Sequence, residues 1–79
     1  MQECKKKTML LFSHSTSVAL EPSFWEVLEE IAKEKKLSLT ALVEQVDQNR
    51  TIQHNLAASL REFALKTLRT KVKALEKNG

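Results

Sequence analysis

Positively charged side chains that could bind a polyanion are the most conspicuous chemical feature of this 79-residue sequence. Two lysine clusters stand out, Lys5–Lys7 near the start and Lys33, Lys35 and Lys36 further along. Further basic residues are spread along the C-terminal part: Lys66, Arg69, Lys71, Lys73 and Lys77. The formal net charge is only +3, so the positive charge is unevenly distributed rather than large. Such clusters fit an ordinary solvated surface, and they are also the pattern expected of a nucleic-acid-binding protein.

Residues that could support catalysis or bind a metal are few and scattered. His14 and His54 have no neighbours at the spacing that metal ligands need. The sequence contains no nucleophile–base pairing and no glycine-rich phosphate loop. Three carboxylates are better interpreted as solvated helix faces than as an acid–base pair: Glu29, Glu30 and Glu44. We therefore predict no enzymatic activity, no metal and no cofactor.

A short segment of small and β-branched residues, Ser15–Leu20, predicts a β-strand. Alternation along a strand places its larger and more apolar residues on one face, which we expect to lie against the core: Thr16, Val18 and Leu20. The other face then carries three small residues: Ser15, Ser17 and Ala19. A two-stranded ribbon fits the major groove of DNA, where serine hydroxyls and an alanine methyl can touch base edges. An ordinary solvent-facing strand is the alternative interpretation.

Apolar residues at helical spacing predict three helices after this strand: Pro22–Lys35, Leu39–Gln48, and a long helix from Leu56 to near Lys77. Pro22 suits a first helical turn, and Ser38 and Asn55 suit N-cap positions. Phe24 and Trp25 are expected to pack in the core rather than to form an aromatic ligand site. The long apolar stripe of the third helix is expected to close over a core.

The start of the second helix is a candidate phosphate site. The first backbone amides of a helix, here those of Leu39 and Thr40, point outward and favour an anion, and the Ser38 hydroxyl lies beside them. Lys35 and Lys36 precede this position. The simpler interpretation is that Ser38 only caps the helix.

The strand needs a partner, because one strand cannot satisfy its own backbone groups. A second strand over Thr8–Phe12 could form a hairpin, but its loop, Ser13-His14, suits a primed two-residue turn poorly. Pairing with the same strand of a second chain is therefore favoured. A domain of this size buries only about 60% of its unfolded surface, and a single cysteine, Cys4, forms no intrachain disulfide. We therefore predict a homodimer with an intermolecular antiparallel ribbon.

The remaining organisation is simple. Residues 1–7 are expected to form a basic arm, and residues 8–79 a single domain. The longest apolar run, Met9–Phe12, is too short to cross a membrane. The start of the sequence does not resemble a secretory signal, and the free Cys4 suits a reducing compartment. These features predict a cytoplasmic protein.

The pattern of residues resembles the ribbon-helix-helix domain family of the alphaproteobacterial type. The resemblance lies in TSVALEPSFW at residues 16–25, in the apolar positions up to Val46-Asp47, and in Asn55-Leu56 followed by Ser59-Leu-Arg61 and Phe63. Lys6-Lys-Thr8 and the spacing to His14 match the basic lead-in of that family. The resemblance covers roughly residues 6–69.

This resemblance implies a mostly α-helical bacterial regulator that binds double-stranded DNA as a dimer of the Arc and MetJ architecture, with an added third helix. Its base-reading residues would be Ser15, Ser17 and Ala19, and its phosphate site would be Ser38 with Leu39. Lys5, Lys6 and Lys7 would contact the DNA backbone. The sequence departs from the family where arginine or another polar residue is common, at Ser15 and Ala19, and where glycine is common, at Ser13 and near Lys36. An antitoxin-like or adaptor module that binds a protein through the C-terminal helix is the alternative function.

Overall fold

The fold is a two-stranded antiparallel ribbon followed by three helices. The structure, a computed structural model, describes residues 3–50 and 55–77, with side chains described as far as residue 74. Its elements are β1 Lys5–Leu11, β2 His14–Leu20, α1 Pro22–Glu34, α2 Leu39–Asn49 and α3 Leu56–Lys77. This arrangement confirms the predicted fold class, a mostly helical chain with a ribbon and an added third helix.

The structure corrects the prediction of a single short strand, because it contains two strands that form the hairpin which the turn residues disfavoured. The pairing of a ribbon between two chains stays a prediction. β2 pairs with β1 of the same chain, with Lys5 opposite Leu20 and Leu11 opposite His14. β1 also begins at Lys5 rather than at Thr8, so the lysine run expected in an N-terminal arm lies inside the sheet.

The hairpin turn consists of Phe12 and Ser13 rather than Ser13 and His14. Both turn residues have positive φ angles, 50° and 69°, which is what a type I′ turn requires of its two central residues. A left-handed conformation costs a residue other than glycine about 1–2 kcal/mol. Two seven-residue strands offset that cost, and the Phe12 N–H donates to Glu44 Oε2 of α2 at 2.9 Å.

The helix boundaries follow the predicted capping residues. Pro22 lies in the first turn of α1. The Ser38 hydroxyl accepts a hydrogen bond from the Ala41 N–H at 3.0 Å, and Asn55 Oδ1 accepts one from the Ala58 N–H at 2.7 Å. These bonds satisfy amides that have no partner inside the helix, so the predicted starts of α2 and α3 are confirmed.

The core lies between the ribbon and the three helices, and every element contributes to it. Trp25 is 3% exposed, and its indole Nε1 donates to the Lys5 carbonyl at 2.8 Å. The interpretation of Trp25 as a core residue is therefore confirmed. The other large buried side chains are Leu11, Val18, Leu20, Leu28, Ile31, Leu42, Val43, Val46 and Leu60.

The two halves of α3 differ in their packing. In the first half, Leu60 and Ala64 are fully buried and Phe63 packs against the core. In the second half, Leu68 and Val72 are 40% and 52% exposed. The apolar stripe was expected to close over the core of its own or of a partner chain, and its first half closes over the core of this chain. Closure of the second half over a partner chain stays a prediction.

Candidate nucleic-acid interface

One face of the ribbon points away from the helices, and we call it the outer face. It consists of three cross-strand pairs: Lys6 with Ala19, Thr8 with Ser17, and Leu10 with Ser15. All six residues are exposed. On β2 the opposite side carries Val18 and Leu20, which are 4% and 0% exposed. The predicted assignment of the two faces of this strand is therefore confirmed, since alternation along a strand separates them.

Hydroxyl groups occupy the centre of the outer face. Thr8 Oγ1 and Ser17 Oγ lie 2.9 Å apart and share a hydrogen bond. One hydroxyl proton is used in that bond, so the pair still offers one donor and several lone pairs outward. The flanking Ser15 and Ala19 have short side chains, so another molecule can approach the backbone of β2 closely.

The three lysines of the N-terminal run lie on different faces. Lys6 is on the outer face, opposite Ala19. Lys7 is on the other face, where its Nζ lies 3.2 Å from Glu29 Oε1 and 5.5 Å from the centre of the Trp25 ring. Lys5 is on the same face as Lys7. Lys6 is thus the lysine of this run that shares a surface with Ser17, whereas Lys7 is held against α1.

The predicted phosphate site at the start of α2 has the geometry of a helix cap. The Ser38 hydroxyl is engaged with the Ala41 amide, and Leu39 is the first residue of the helix. Lys35 and Lys36 are exposed just before it, and Lys35 Nζ lies 5.7 Å from the centre of the Phe63 ring. Among the described residues, no hydrogen bond joins Ser38 or Leu39 to the outer face of the ribbon.

The turn before this cap contains the third residue with a positive φ. Lys36 has φ 60°, its N–H donates to the Lys33 carbonyl at 3.1 Å, and the Leu37 N–H donates to the Ala32 carbonyl at 2.8 Å. This pair of bonds is a Schellman motif, in which glycine is the preferred left-handed residue. The motif turns the chain from α1 into α2 and so sets the position of Ser38.

Two outer-face residues, Thr8 and Leu10, were not among the predicted site residues. Their place on this face follows from the pairing of β1 with β2, whose register places them opposite Ser17 and Ser15. The alternation Lys6, Thr8, Leu10 was the available signal in the sequence. With a strand that begins at Lys5, this alternation predicts that the three residues share one face.

An ion pair anchors the base of the ribbon to α3. Arg61 Nε donates to Glu21 Oε1 at 2.9 Å, and Arg61 Nη2 donates to Glu21 Oε2 at 3.4 Å. Glu21 directly follows β2 and is the N-cap of α1. A hydrogen bond to its own backbone amide, and then the hydrogen bond from Arg61, lower the pKa of the Glu21 carboxyl. The hydrogen bond to Glu21 in turn raises the pKa of Arg61.

The carboxylates considered for acid–base chemistry have different surroundings. Glu29 pairs with Lys7 and Glu44 accepts from the Phe12 amide, while Glu30 is exposed on α1. In the described part of the chain, no group of three or more potential metal ligands comes together. His14 is exposed at the start of β2, and His54 lies outside the described residues. No described helix combines the length and the apolar character needed to cross a membrane.

Comparison with known proteins gives one match. A model of the family described as "Ribbon-helix-helix domain" matches residues 4–68, which includes the ribbon, α1, α2 and the first half of α3. No curated protein matches this chain significantly. No solved structure matches it significantly either.

Proposed function

This chain belongs to the ribbon-helix-helix domain family, and we propose that it is a DNA-binding transcriptional regulator whose ribbon enters the major groove. The observation that supports this proposal best is the outer face, which combines a flat centre of small side chains with Lys6 at one end. Members of this family generally bind DNA and regulate transcription.

The dimensions of the hairpin suit this role. Two paired strands lie about 4.7–4.9 Å apart, and the major groove of B-DNA is about 12 Å wide and admits a two-stranded ribbon. Ser15, Ser17 and Ala19 would then face base edges. Lys6 would reach a phosphate, which positions the protein without selecting a sequence. The amide of Leu39, beside the Ser38 cap, would receive a second phosphate.

We infer that the functional form is a homodimer. Members of this family typically form homodimers, and a core of this size gains stability from association. The hairpin leaves the outer edge of each strand unpaired, but we place the contact between chains on α3, where apolar side chains are exposed. From Leu65 onward, α3 carries an exposed apolar stripe for this contact: Leu65 at 54%, Leu68 at 40% and Val72 at 52%.

The same stripe favours a second candidate function, an antitoxin-like or adaptor module that binds another protein through α3. Sedimentation at micromolar concentration separates the two possibilities. A mass of twice the chain, reduced to a single chain by Leu68→Glu, supports the homodimer. A compact monomer that keeps this stripe exposed supports a different protein partner and refutes the homodimer.

The test of DNA binding is a change in the preferred sequence. Selection of bound duplexes from random DNA would be carried out with the native chain and with Ser17→Arg. Arginine pairs bidentately with guanine O6 and N7, so Ser17→Arg should shift the preference toward guanine at one step. Thr70→Arg, which adds the same charge at an exposed position of α3, should strengthen binding without changing the preference.

Two results would count against this proposal. If neither protein binds duplex DNA even at low salt, the DNA-binding function is refuted. If Ser17→Arg and Thr70→Arg give the same ranking of sequences as the native chain, the outer face does not lie in the groove.

A further inference from the structure

We propose that Leu10 makes the ribbon select thymine, by contact between its side chain and the thymine 5-methyl group. This inference rests on the proposed DNA-binding function and names the base that the outer face prefers. It assigns a role in sequence recognition to β1, the strand that none of the predicted base-reading residues occupies.

Leu10 is a large apolar side chain on the exposed face of its strand. Its neighbours Met9 and Leu11 point toward the helices, where Met9 packs against the core and Leu11 is 3% exposed. Leu10 itself is 64% exposed. The residue opposite it is Ser15, which is too small to cover a leucine side chain. Leu10 therefore projects from the outer face beyond its neighbours.

The chemistry of the outer face leaves few ways to distinguish bases. Arginine and lysine pair bidentately with guanine, and asparagine and glutamine pair bidentately with adenine. Of these four, the outer face contains only Lys6, which lies at the end of the ribbon away from Leu10. Serine and threonine hydroxyls donate or accept, so they tolerate several bases. An apolar side chain is selective, because thymine is the base that presents a methyl group in the major groove.

The position of Leu10 separates it from the positive charge of the outer face. Lys6 and Leu10 are four residues apart on β1, a distance of about 13 Å at the usual rise of a strand. Lys6 would therefore contact the DNA backbone from one end of the ribbon, and Leu10 would contact a thymine methyl group near the hairpin turn. Replacing Leu10 should change sequence preference without changing the dependence of binding on salt.

The experiment removes the methyl group from the DNA and the leucine from the protein. In the best duplex selected by the native chain, each thymine would be replaced in turn by deoxyuridine, which lacks only the 5-methyl group. At one or more positions, this replacement should weaken binding by the native chain about fourfold, the factor expected from burial of one methyl-sized group. Leu10→Ala should bind the thymine and deoxyuridine duplexes equally at those positions, since the interaction is then already lost.

Thr70→Ala is the control, because Thr70 is exposed on α3, away from the ribbon and outside the apolar stripe of that helix. It should keep the full preference for thymine. If deoxyuridine has no effect at any position, or weakens the native chain and Leu10→Ala equally, the role of Leu10 is refuted while DNA binding stands. If no duplex is bound by the native chain, the proposed function itself fails.

Discussion

The division of the lysine run between two faces of the ribbon leads to a prediction that separates DNA contact from protein stability. Lys6 and Lys7 are adjacent and carry the same charge, but Lys6 is on the outer face while Lys7 pairs with Glu29 and lies over Trp25. Replacing each by alanine removes the same charge from the same strand. Lys6→Ala should nevertheless weaken DNA binding, whereas Lys7→Ala should lower the stability of the protein.

The expected magnitudes follow from these positions. A lysine that neutralises one phosphate contributes about 0.9 to the slope of log affinity against log salt, so Lys6→Ala should lower that slope by about 0.9 per bound chain. Lys7→Ala should leave the slope nearly unchanged. It removes a partly exposed ion pair and a cation–π contact, worth together about 1 kcal/mol of unfolding free energy.

The assay is fluorescence anisotropy with a labelled duplex at several salt concentrations, combined with urea denaturation of the same proteins. Lys6→Ala should show the same urea midpoint as the native chain, because its side chain is exposed and has no ion-pair partner among the described residues. Equal changes in salt slope for Lys6→Ala and Lys7→Ala would refute the argument. Binding would then depend on the total charge of the ribbon and not on its outer face.

Three further predictions concern the fold that supports this face. Val18→Asp should prevent folding, because Val18 is 4% exposed and the change buries an unpaired charge; Ser17→Asp, one position away on the exposed face, should retain a native circular dichroism spectrum and melting temperature. Lys36→Gly should raise the unfolding free energy by about 1 kcal/mol over Lys36→Ala, since both remove the charge but only glycine relieves the φ of 60°, and an equal or lower urea midpoint for the glycine variant would contradict this. Glu21→Gln should destabilise the protein at neutral pH, and the difference from the native chain should begin to shrink as the pH falls below 4.5, the ordinary carboxyl pKa, and be lost below the lowered pKa of the folded state. The sign follows because a lowered pKa in the folded state contributes stability above the unfolded pKa and loses it as the pH falls through the folded pKa; Glu30→Gln, on the same helix but away from Arg61, should show no such dependence in thermal melts from pH 7 to pH 3.

The helices and the buried face of β2 were predictable because they depend on local patterns. The spacing of Leu28, Ile31, Leu42 and Val46 reports which side of each helix is buried, and Pro22, Ser38 and Asn55 mark where helices begin. Capping and periodicity involve residues within one or two turns of each other, so they can be recognised without knowledge of the fold. The same holds for the exposure of Ser15, Ser17 and Ala19, which follows from alternation once the strand is identified.

The partner of β2 was decided by tertiary structure. Local turn preference disfavours Phe12-Ser13, because neither residue adopts a positive φ cheaply. The cost of this turn is outweighed by contacts between residues distant in sequence, among them Phe12 with Glu44 and Lys5 with Trp25. The turn itself contains no sign of those contacts.

The composition of the outer face depends on the same pairing of β1 with β2. In a free arm, the three lysines of the run would have equivalent surroundings. A strand in register with β2 instead places Lys6 beside Ala19 and Lys7 beside Glu29. The position of Leu10 opposite Ser15 has the same origin. By itself, the sequence determined which residues could form helices and strands and which of their faces are apolar. The pairing of β1 with β2 decided which side chains share the outer face, because that pairing is stabilised by the packing of the whole domain and not by the residues of the turn.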